Sequence, residues 1–182
     1  PGAQKLSNAA VYHGEQAVAL FRTGGGPGDA WIGIKGGTPA ASHAHMDVGS
    51  FVYDAHGIRW ILDPGSDDYN MPGYFGSRRY SYFRLQNRSH STLEIDGKLQ
   101  NPTAAPCPLT DSSLIGSPAS ATFDLSAAYP DSADKVIRSV SFDVNSGATR
   151  LGDEIEKPTG DVVWRAITNA ECEVTGDSVV LT

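Results

Sequence analysis

The apolar residues of this chain come in short alternating runs, and no segment keeps a helical period. Gly, Asn, Asp and Pro bound the runs, as turn residues bound the strands of antiparallel sheets. The sequence therefore predicts an all-β fold, an antiparallel two-layer β-sandwich, with residues 1–182 forming a single domain. The predicted strands are 17–22, 30–34, 50–55, 58–62, 91–95, 121–125, 136–144, 149–156, 162–168 and 172–175, with 179–182 as one more at the end.

Turn residues define the ends of several predicted strands. His56-Gly57 is predicted to link a hairpin, because glycine supplies the positive φ that tight hairpin turns require. Asp63-Pro64-Gly65 ends the second strand of that hairpin, since proline cannot donate to a ladder. The stretch 101–118 is rich in Pro, Ser, Thr and Ala, and we expect it to be a long surface loop.

Length and charge exclude several classes of protein. A chain of 182 residues buries about 70% of its unfolded surface, enough for a core without disulfides or metals. Its apolar runs are only about five residues long, so no membrane span is expected. The formal net charge of −7 argues against a general nucleic-acid binder. Cys107 and Cys172 lack metal-type spacing, and either a disulfide in an exported protein or two free thiols fits them.

The segment Ser42-His43-Ala44-His45-Met46-Asp47 carries the first group of candidate functional residues. In an extended chain, His43, His45 and Asp47 would share one face, with neighbours about 6.5–7 Å apart. Two imidazoles on one face are half of a metal site, although a pair of polar surface histidines fits the spacing as well.

Two further residues gain meaning beside these histidines. Asp63 ends an apolar strand and could simply form a turn, and His90 stands alone at the entry to another strand. Two histidines and one aspartate at the ends of adjacent strands, however, make a donor set that suits Zn²⁺ with an open or water-filled fourth position.

The stretch 69–93 contains no acidic residue and carries four arginines, with tyrosines and a phenylalanine between them. Arginine forks suit carboxylates and sulfates, and aromatic rings suit the faces of sugars, so this stretch predicts binding of an acidic polysaccharide. The alternative is a solvated loop whose arginines pair with acidic residues elsewhere. The candidate substrate-binding residues are Arg84, Arg88, Tyr82 and Tyr80.

Taken in order, these motifs resemble the heparinase II/III-like polysaccharide lyases, a family that includes heparin and heparan sulfate lyases and several alginate lyases. The resemblance lies in segments 43–51, 60–65, 82–84 and 90–92 and in Asp96-Gly97. The later strands, with Arg138, follow the family's sandwich only loosely. Ser91 stands where the family usually has Asn, and Met46 where it often has Pro or Ala.

Family members join an N-terminal α/α-toroid to an antiparallel β-sandwich. The resemblance implies that this chain is the sandwich alone, a fragment of a larger two-domain lyase from the periplasm or exterior of a bacterium. It implies a structural zinc ion held by His45, Asp63 and His90. It also implies that His43 faces the catalytic cleft and that Arg84 lies near it.

The family cleaves uronic-acid-containing polysaccharides, heparan sulfate/heparin-like or alginate-like, by β-elimination. The reaction must neutralise the uronate carboxylate, remove the C5 proton and protonate the leaving oxygen. The family's acid, a Tyr, lies mainly on the toroid, so only His43 carries over as a catalytic residue and the chain alone is expected to be inactive. The modest number of basic residues favours an unsulfated uronide.

Two alternatives compete with this interpretation. A non-catalytic carbohydrate-binding or structural β-sandwich module would share the same fold. A cupin-like metal enzyme would share the His43-x-His45 pair, but Gly49 and Ser50 stand where the cupin motif requires Glu. The second half of that motif is also missing from the sequence.

Overall fold

The structure is a computed structural model that describes residues 7–182. Strands dominate it, and the helical residues in this range form only four single-turn 3₁₀ helices, at Arg79–Ser81, Phe83–Leu85, Asn87–Ser89 and Ser126–Ala128. Within these residues no helix is long and apolar enough to cross a membrane. The strands are β1 (Ala9–Tyr12), β2 (Val18–Arg22), β3 (Trp31–Lys35), β4 (Phe51–Ala55), β5 (Ile58–Ile61), β6 (Leu93–Ile95), β7 (Leu109–Ser113), β8 (Ala119–Asp124), β9 (Lys135–Phe142), β10 (Thr149–Glu156), β11 (Val162–Trp164), β12 (Cys172–Thr175) and β13 (Ser178–Leu181).

Two antiparallel sheets form the two layers of the domain. The first has the strand order β1-β2-β3-β4-β5 and the second the order β10-β9-β8-β7. β11 pairs with β6, and β12 pairs with β13, in two smaller antiparallel sheets. This arrangement confirms the predicted all-β, antiparallel two-layer β-sandwich.

The alternation seen in the sequence directs apolar side chains into the space between the two sheets. In β9, the apolar Val136, Val140 and Phe142 are buried, as is Arg138 on the same face, while the alternate residues are more exposed. Phe142 stacks on Phe21 of β2 across the core, with ring centroids 6.2 Å apart. Burying each such side chain stabilises the fold by about 1.5–3 kcal/mol, so these contacts hold the layers together.

Strand β7 shows where the prediction of a long surface loop at 101–118 is wrong. β7 lies inside that stretch and pairs with β8 at the edge of the second sheet. Its sequence is Leu-Thr-Asp-Ser-Ser, in which only Leu109 is buried. An edge strand that faces solvent needs little apolar character, so its composition resembles that of a loop. Strand β1, at the edge of the first sheet, was likewise not predicted.

The hairpin of β4 and β5 turns where the sequence predicts. His56 and Gly57, the two residues between the strands, have φ angles of 56° and 78°. Two consecutive residues with positive φ are characteristic of the type I′ turn, whose twist matches that of the strands. Asp63 lies two residues after β5, the second strand of this hairpin.

The hairpin of β12 and β13 differs from the other strands in its burial. Every residue of β12 is exposed, and in β13 only Leu181 is partly covered. The register pairs Val174 with Val179 and Cys172 with Leu181, so one face of this hairpin is apolar.

The two cysteines are both free, and their environments differ. Cys107 is fully buried, and this burial raises the pKa of its thiol to about 11. Cys172 is exposed on β12. The thiolate is the reactive form, and burial both disfavours it at Cys107 and blocks access to that thiol. We therefore expect Cys172 to be the thiol that reacts in the folded protein.

We therefore expect a disulfide-exchange reagent such as DTNB to titrate one thiol per chain rapidly in the native protein and two after unfolding. Cys172→Ser should abolish the rapid phase, and Cys107→Ser should leave it unchanged. Rapid modification of both thiols in the native protein would contradict the burial of Cys107.

Candidate functional site

The first histidine segment is a series of turns, so the prediction of an extended chain there is wrong. His43 has a left-handed backbone with φ of 62°. The Ala44 amide donates to the Ala41 carbonyl, and the Asp47 carboxylate binds Lys35 Nζ at 2.6 Å. His43, His45 and Asp47 consequently do not share the face of a strand. Spacing of two residues describes one face only where the backbone is extended, and local turns remove that relation.

The structure brings together the three residues for which the resemblance implies a metal site. His90 Nδ1 lies 2.6 Å from Asp63 Oδ2. The His45 and His90 rings are tilted against each other, with centroids 5.4 Å apart. His90 is completely buried, while the Asp63 side chain is 32% exposed. Residues far apart in the sequence thus converge beside the end of β5.

The shifts in pKa within this group favour a neutral His45 and an ionised Asp63. Burial lowers the pKa of His45, and the proximity of His90 lowers it further. Burial alone would raise the pKa of Asp63, but the hydrogen bond and charge of His90 and the Gly65 amide outweigh it, so the pKa of Asp63 lies below its usual value. These are the protonation states in which His and Asp act as metal ligands.

The donor types in this group suit a zinc ion. The described side chains, however, are not arranged around a position that an ion could occupy. His90 Nε2 is buried and has no hydrogen-bond partner, so a cation or a donor could satisfy it. Among residues 7–182, no three His, Cys, Asp or Glu side chains are gathered as metal ligands. Asp63 and His90 bond directly to each other at 2.6 Å, whereas a tetrahedral ion with bonds of about 2.0–2.1 Å keeps its donors roughly 3.3 Å apart.

An aromatic cluster borders His43 on its exposed side. The His43 ring lies 5.0 Å from Phe75 and 5.8 Å from Tyr69, centroid to centroid. Tyr69 and Phe75 contact each other at 5.0 Å and are 50% and 55% exposed. Sequence reasoning missed both residues, although each lies in the acid-free stretch whose other aromatic residues it singled out.

Arg79 ties this aromatic cluster to the histidine segment. Its guanidinium donates to the Ala44 carbonyl at 2.7 Å and to the Tyr74 carbonyl at 3.2 Å. The same group lies over the rings of Tyr74 and Phe75, 5.2 and 5.5 Å from their centroids. Hydrogen bonds from a charged donor and cation–π contacts together fix the cluster against the backbone beside His43.

The predicted substrate-binding residues have partners within the protein. Arg84 pairs with Asp67 at 3.3 Å, and Arg88 pairs with Glu94 at 2.8 Å. The hydroxyls of Tyr80 and Tyr82 donate to backbone carbonyls at 2.6 and 2.7 Å. The pairing of two arginines agrees with the alternative that acidic residues elsewhere neutralise them.

Buried side chains hold the backbone just after the first histidine segment. Gln100 accepts a hydrogen bond from the Val48 amide at 3.1 Å and donates to the Val48 carbonyl at 2.9 Å. Thr92 donates to the same carbonyl at 2.6 Å, and Gln100 also donates to the Tyr129 hydroxyl. These bonds replace the ladder bonds that the irregular segments lack.

The site opens to solvent through a hollow of about 440 Å³. His43, His45, Asp47 and Asp63 line it together with Gln16 and Lys35. A hollow of this size is large enough for a sugar residue, and it presents both imidazole and carboxylate groups to its contents.

The comparisons with known proteins identify the family of this chain. The model of the family described as heparinase II/III-like, C-terminal, matches residues 17–180. Because this match covers nearly the whole chain, the chain belongs to that family, as the sequence resemblance predicts. No curated protein matches the sequence.

Solved structures with the same fold include a heparinase III and a heparan sulfate lyase. A heparinase III, the BT4657 gene product, has 20% identity and a TM-score of 0.77 over 96% of this chain and 26% of its own. A mutant of the heparan sulfate lyase HepC from Pedobacter heparinus has 22% identity and a TM-score of 0.71, over 93% of this chain and 25% of its own. The chain thus spans about a quarter of the length of these structures, and the likeness shows a shared fold.

We expect Arg79→Met to loosen the aromatic cluster, because it removes two hydrogen bonds from a charged donor. Each such bond contributes about 1.5–3 kcal/mol. Cleavage by chymotrypsin within residues 69–83 should become about tenfold faster or more. Arg78→Met is the matched control, since Arg78 lies only over the Tyr82 ring, 6.0 Å from its centroid. Equal cleavage of both variants would contradict this role for Arg79.

Proposed function

We propose that this chain is the β-sandwich domain of a polysaccharide lyase that cleaves uronic-acid-containing polysaccharides by β-elimination. The observation that carries the proposal is the exposed His43 at the rim of a hollow that also contains His45 and Asp63. Membership of the heparinase II/III-like family supports it. The substrate is a heparan sulfate/heparin-like or alginate-like chain, and the net charge of −7 favours an unsulfated uronide.

In this proposal, His43 contacts the uronate at the reacting sugar. β-Elimination removes the C5 proton, which is only weakly acidic, and breaks the bond from C4 to the leaving oxygen. A neutral His43 accepts that proton, or a protonated His43 offsets the negative charge that develops on the carboxylate. The proton for the leaving oxygen comes from a residue outside this chain, which we place on an N-terminal α/α-toroid domain of the same parent protein.

Tyr69 and Phe75 extend the proposed binding surface beyond His43. Exposed rings of this kind stack on the apolar faces of sugars, and Arg79 holds the pair in place. Arg84, Arg88, Tyr80 and Tyr82 lie in the same loop and contribute to substrate binding once acidic sugar groups compete with their internal partners. The exposed aromatic pair also favours the alternative that the isolated chain binds carbohydrate without cleaving it.

Zinc is the proposed cofactor, with His45, Asp63 and His90 as its ligands. Its proposed role is structural: the bound ion would join the end of β5 to the two histidine segments. The orphaned His90 Nε2 and the ionised state favoured for Asp63 support a cation at this place. We further propose that the parent protein acts in the periplasm or outside a bacterial cell.

In the two-domain parent, His43→Asn should lower the rate of formation of unsaturated uronide by about 10²–10⁴-fold, the usual effect of losing a general acid or base. Asn tolerates a left-handed backbone, so the fold should be retained. The measurement is ultraviolet absorbance with heparan sulfate and alginate as substrates. His56→Asn, on the distant hairpin turn and also at positive φ, is the control. An unchanged rate in His43→Asn would sink the catalytic role.

The purified chain should contain about one zinc ion, and His45→Ala should lose it, because only two ligands would remain. Metal content is measured by atomic emission, with thermal unfolding recorded beside it. His13→Ala, whose side chain is exposed outside the site, should keep the ion. Absence of metal from both the wild-type chain and the control, after growth with added zinc, would refute the zinc site and weaken the lyase proposal.

A further inference from the structure

The guanidinium of Arg138 contacts the backbone just after each of the two histidine segments. Arg138 is in β9 of the second sheet and is completely buried. Its Nη1 donates to the Gly49 carbonyl at 2.7 Å and to the Ser91 carbonyl at 3.5 Å. Gly49 follows His45 by four residues, and Ser91 directly follows His90. One side chain of the second sheet thus contacts both segments.

An ion pair with Asp153 fixes the orientation of this guanidinium. Asp153 pairs with Arg138 across β9 and β10, with distances of 2.7 Å from Nε and 2.9 Å from Nη2 to its two carboxylate oxygens. A bidentate pair fixes the plane of the guanidinium as well as its position. The remaining nitrogen, Nη1, therefore points in a fixed direction, towards the two carbonyls.

Gly49 is shaped to receive this contact. Its φ is +80°, and a Cβ built on it would lie 2.5 Å from Leu125 Cδ1 and 3.1 Å from Thr92 Oγ1. Only glycine accepts both the backbone conformation and this space. A larger residue at this position would therefore displace the backbone whose carbonyl accepts from Arg138.

From these contacts we infer that Arg138 is a positioning residue, which sets the separation between the His45 segment and His90. It contacts none of the proposed metal ligands and acts through the backbone that carries two of them. The inference rests on the proposed function in one respect: the separation matters because His45 and His90 are proposed to bind the same zinc ion. A lysine could not replace it, because an ammonium group lacks the planar fork that binds Asp153 and both carbonyls together.

The test compares Arg138→Lys with Val140→Ala. Val140 lies two residues along the same strand in the hydrophobic core, so its truncation destabilises the sandwich without altering a hydrogen bond. Zinc affinity is measured by competition with a chromophoric chelator, below the melting temperature of each variant. Arg138→Lys should weaken zinc binding about tenfold or more, as loss of a ligand's support does. Val140→Ala should leave the affinity unchanged.

A second readout needs no metal. The amides of Ser50 and Thr92 belong to the peptide groups whose carbonyls contact Arg138. In Arg138→Lys, hydrogen exchange at these two amides should accelerate about tenfold more than at the amides of β8. In Val140→Ala, any acceleration should be similar at all of these amides.

The outcomes separate this inference from the zinc proposal. If the wild-type chain binds no zinc, that proposal fails and the exchange data alone decide the role of Arg138. If zinc affinity and local exchange in Arg138→Lys match those in Val140→Ala, the positioning role is refuted. Should Arg138→Lys fail to fold, Asp153→Asn keeps the arginine and loosens its fork. Asp153→Asn should then shift both readouts in the same direction, and wild-type values would overturn the inference.

Discussion

Hydrogen bonds from buried side chains to backbone carbonyls hold the irregular segments of this protein on its sandwich. The segments around His43 and His90 belong to no strand, so sheet ladders do not fix them. Gln100 and Thr92 bind the backbone at Val48, and Arg138 binds it at Gly49. A buried carbonyl that lost such a donor would incur the cost of desolvation. The candidate site therefore depends on polar contacts made by buried side chains.

Hydrophobic alternation predicted most of the sandwich because the two sheets each have one face in the core. β9 shows the principle, since every second residue from Val136 to Phe142 is buried. The principle fails for β7, an edge strand that faces solvent and has only one buried residue in five. Alternation reports burial on one face, so a strand with little burial leaves no such signal.

The convergence of Asp63 and His90 was predicted from their donor chemistry at strand ends and from the family resemblance, because spacing in a sequence does not reveal contacts between distant segments. Spacing alone led to the wrong backbone for the first histidine segment. A positive φ at His43 is invisible in a sequence where the usual markers, Gly and Asn, are absent from that position. The absence of acidic residues from stretch 69–93 did not mean that its arginines lack acidic partners. Asp67 and Glu94, just outside its ends, pair with Arg84 and Arg88.

The exposure of the β12-β13 hairpin implies that this protein does not unfold as one cooperative unit. An isolated two-stranded sheet is marginally stable in water, and this one makes its regular backbone pairs only within itself. Its local opening therefore requires much less free energy than separation of the two main sheets. A thermal transition monitored at the hairpin would begin below the transition of the sandwich. The two main sheets would then unfold after this hairpin.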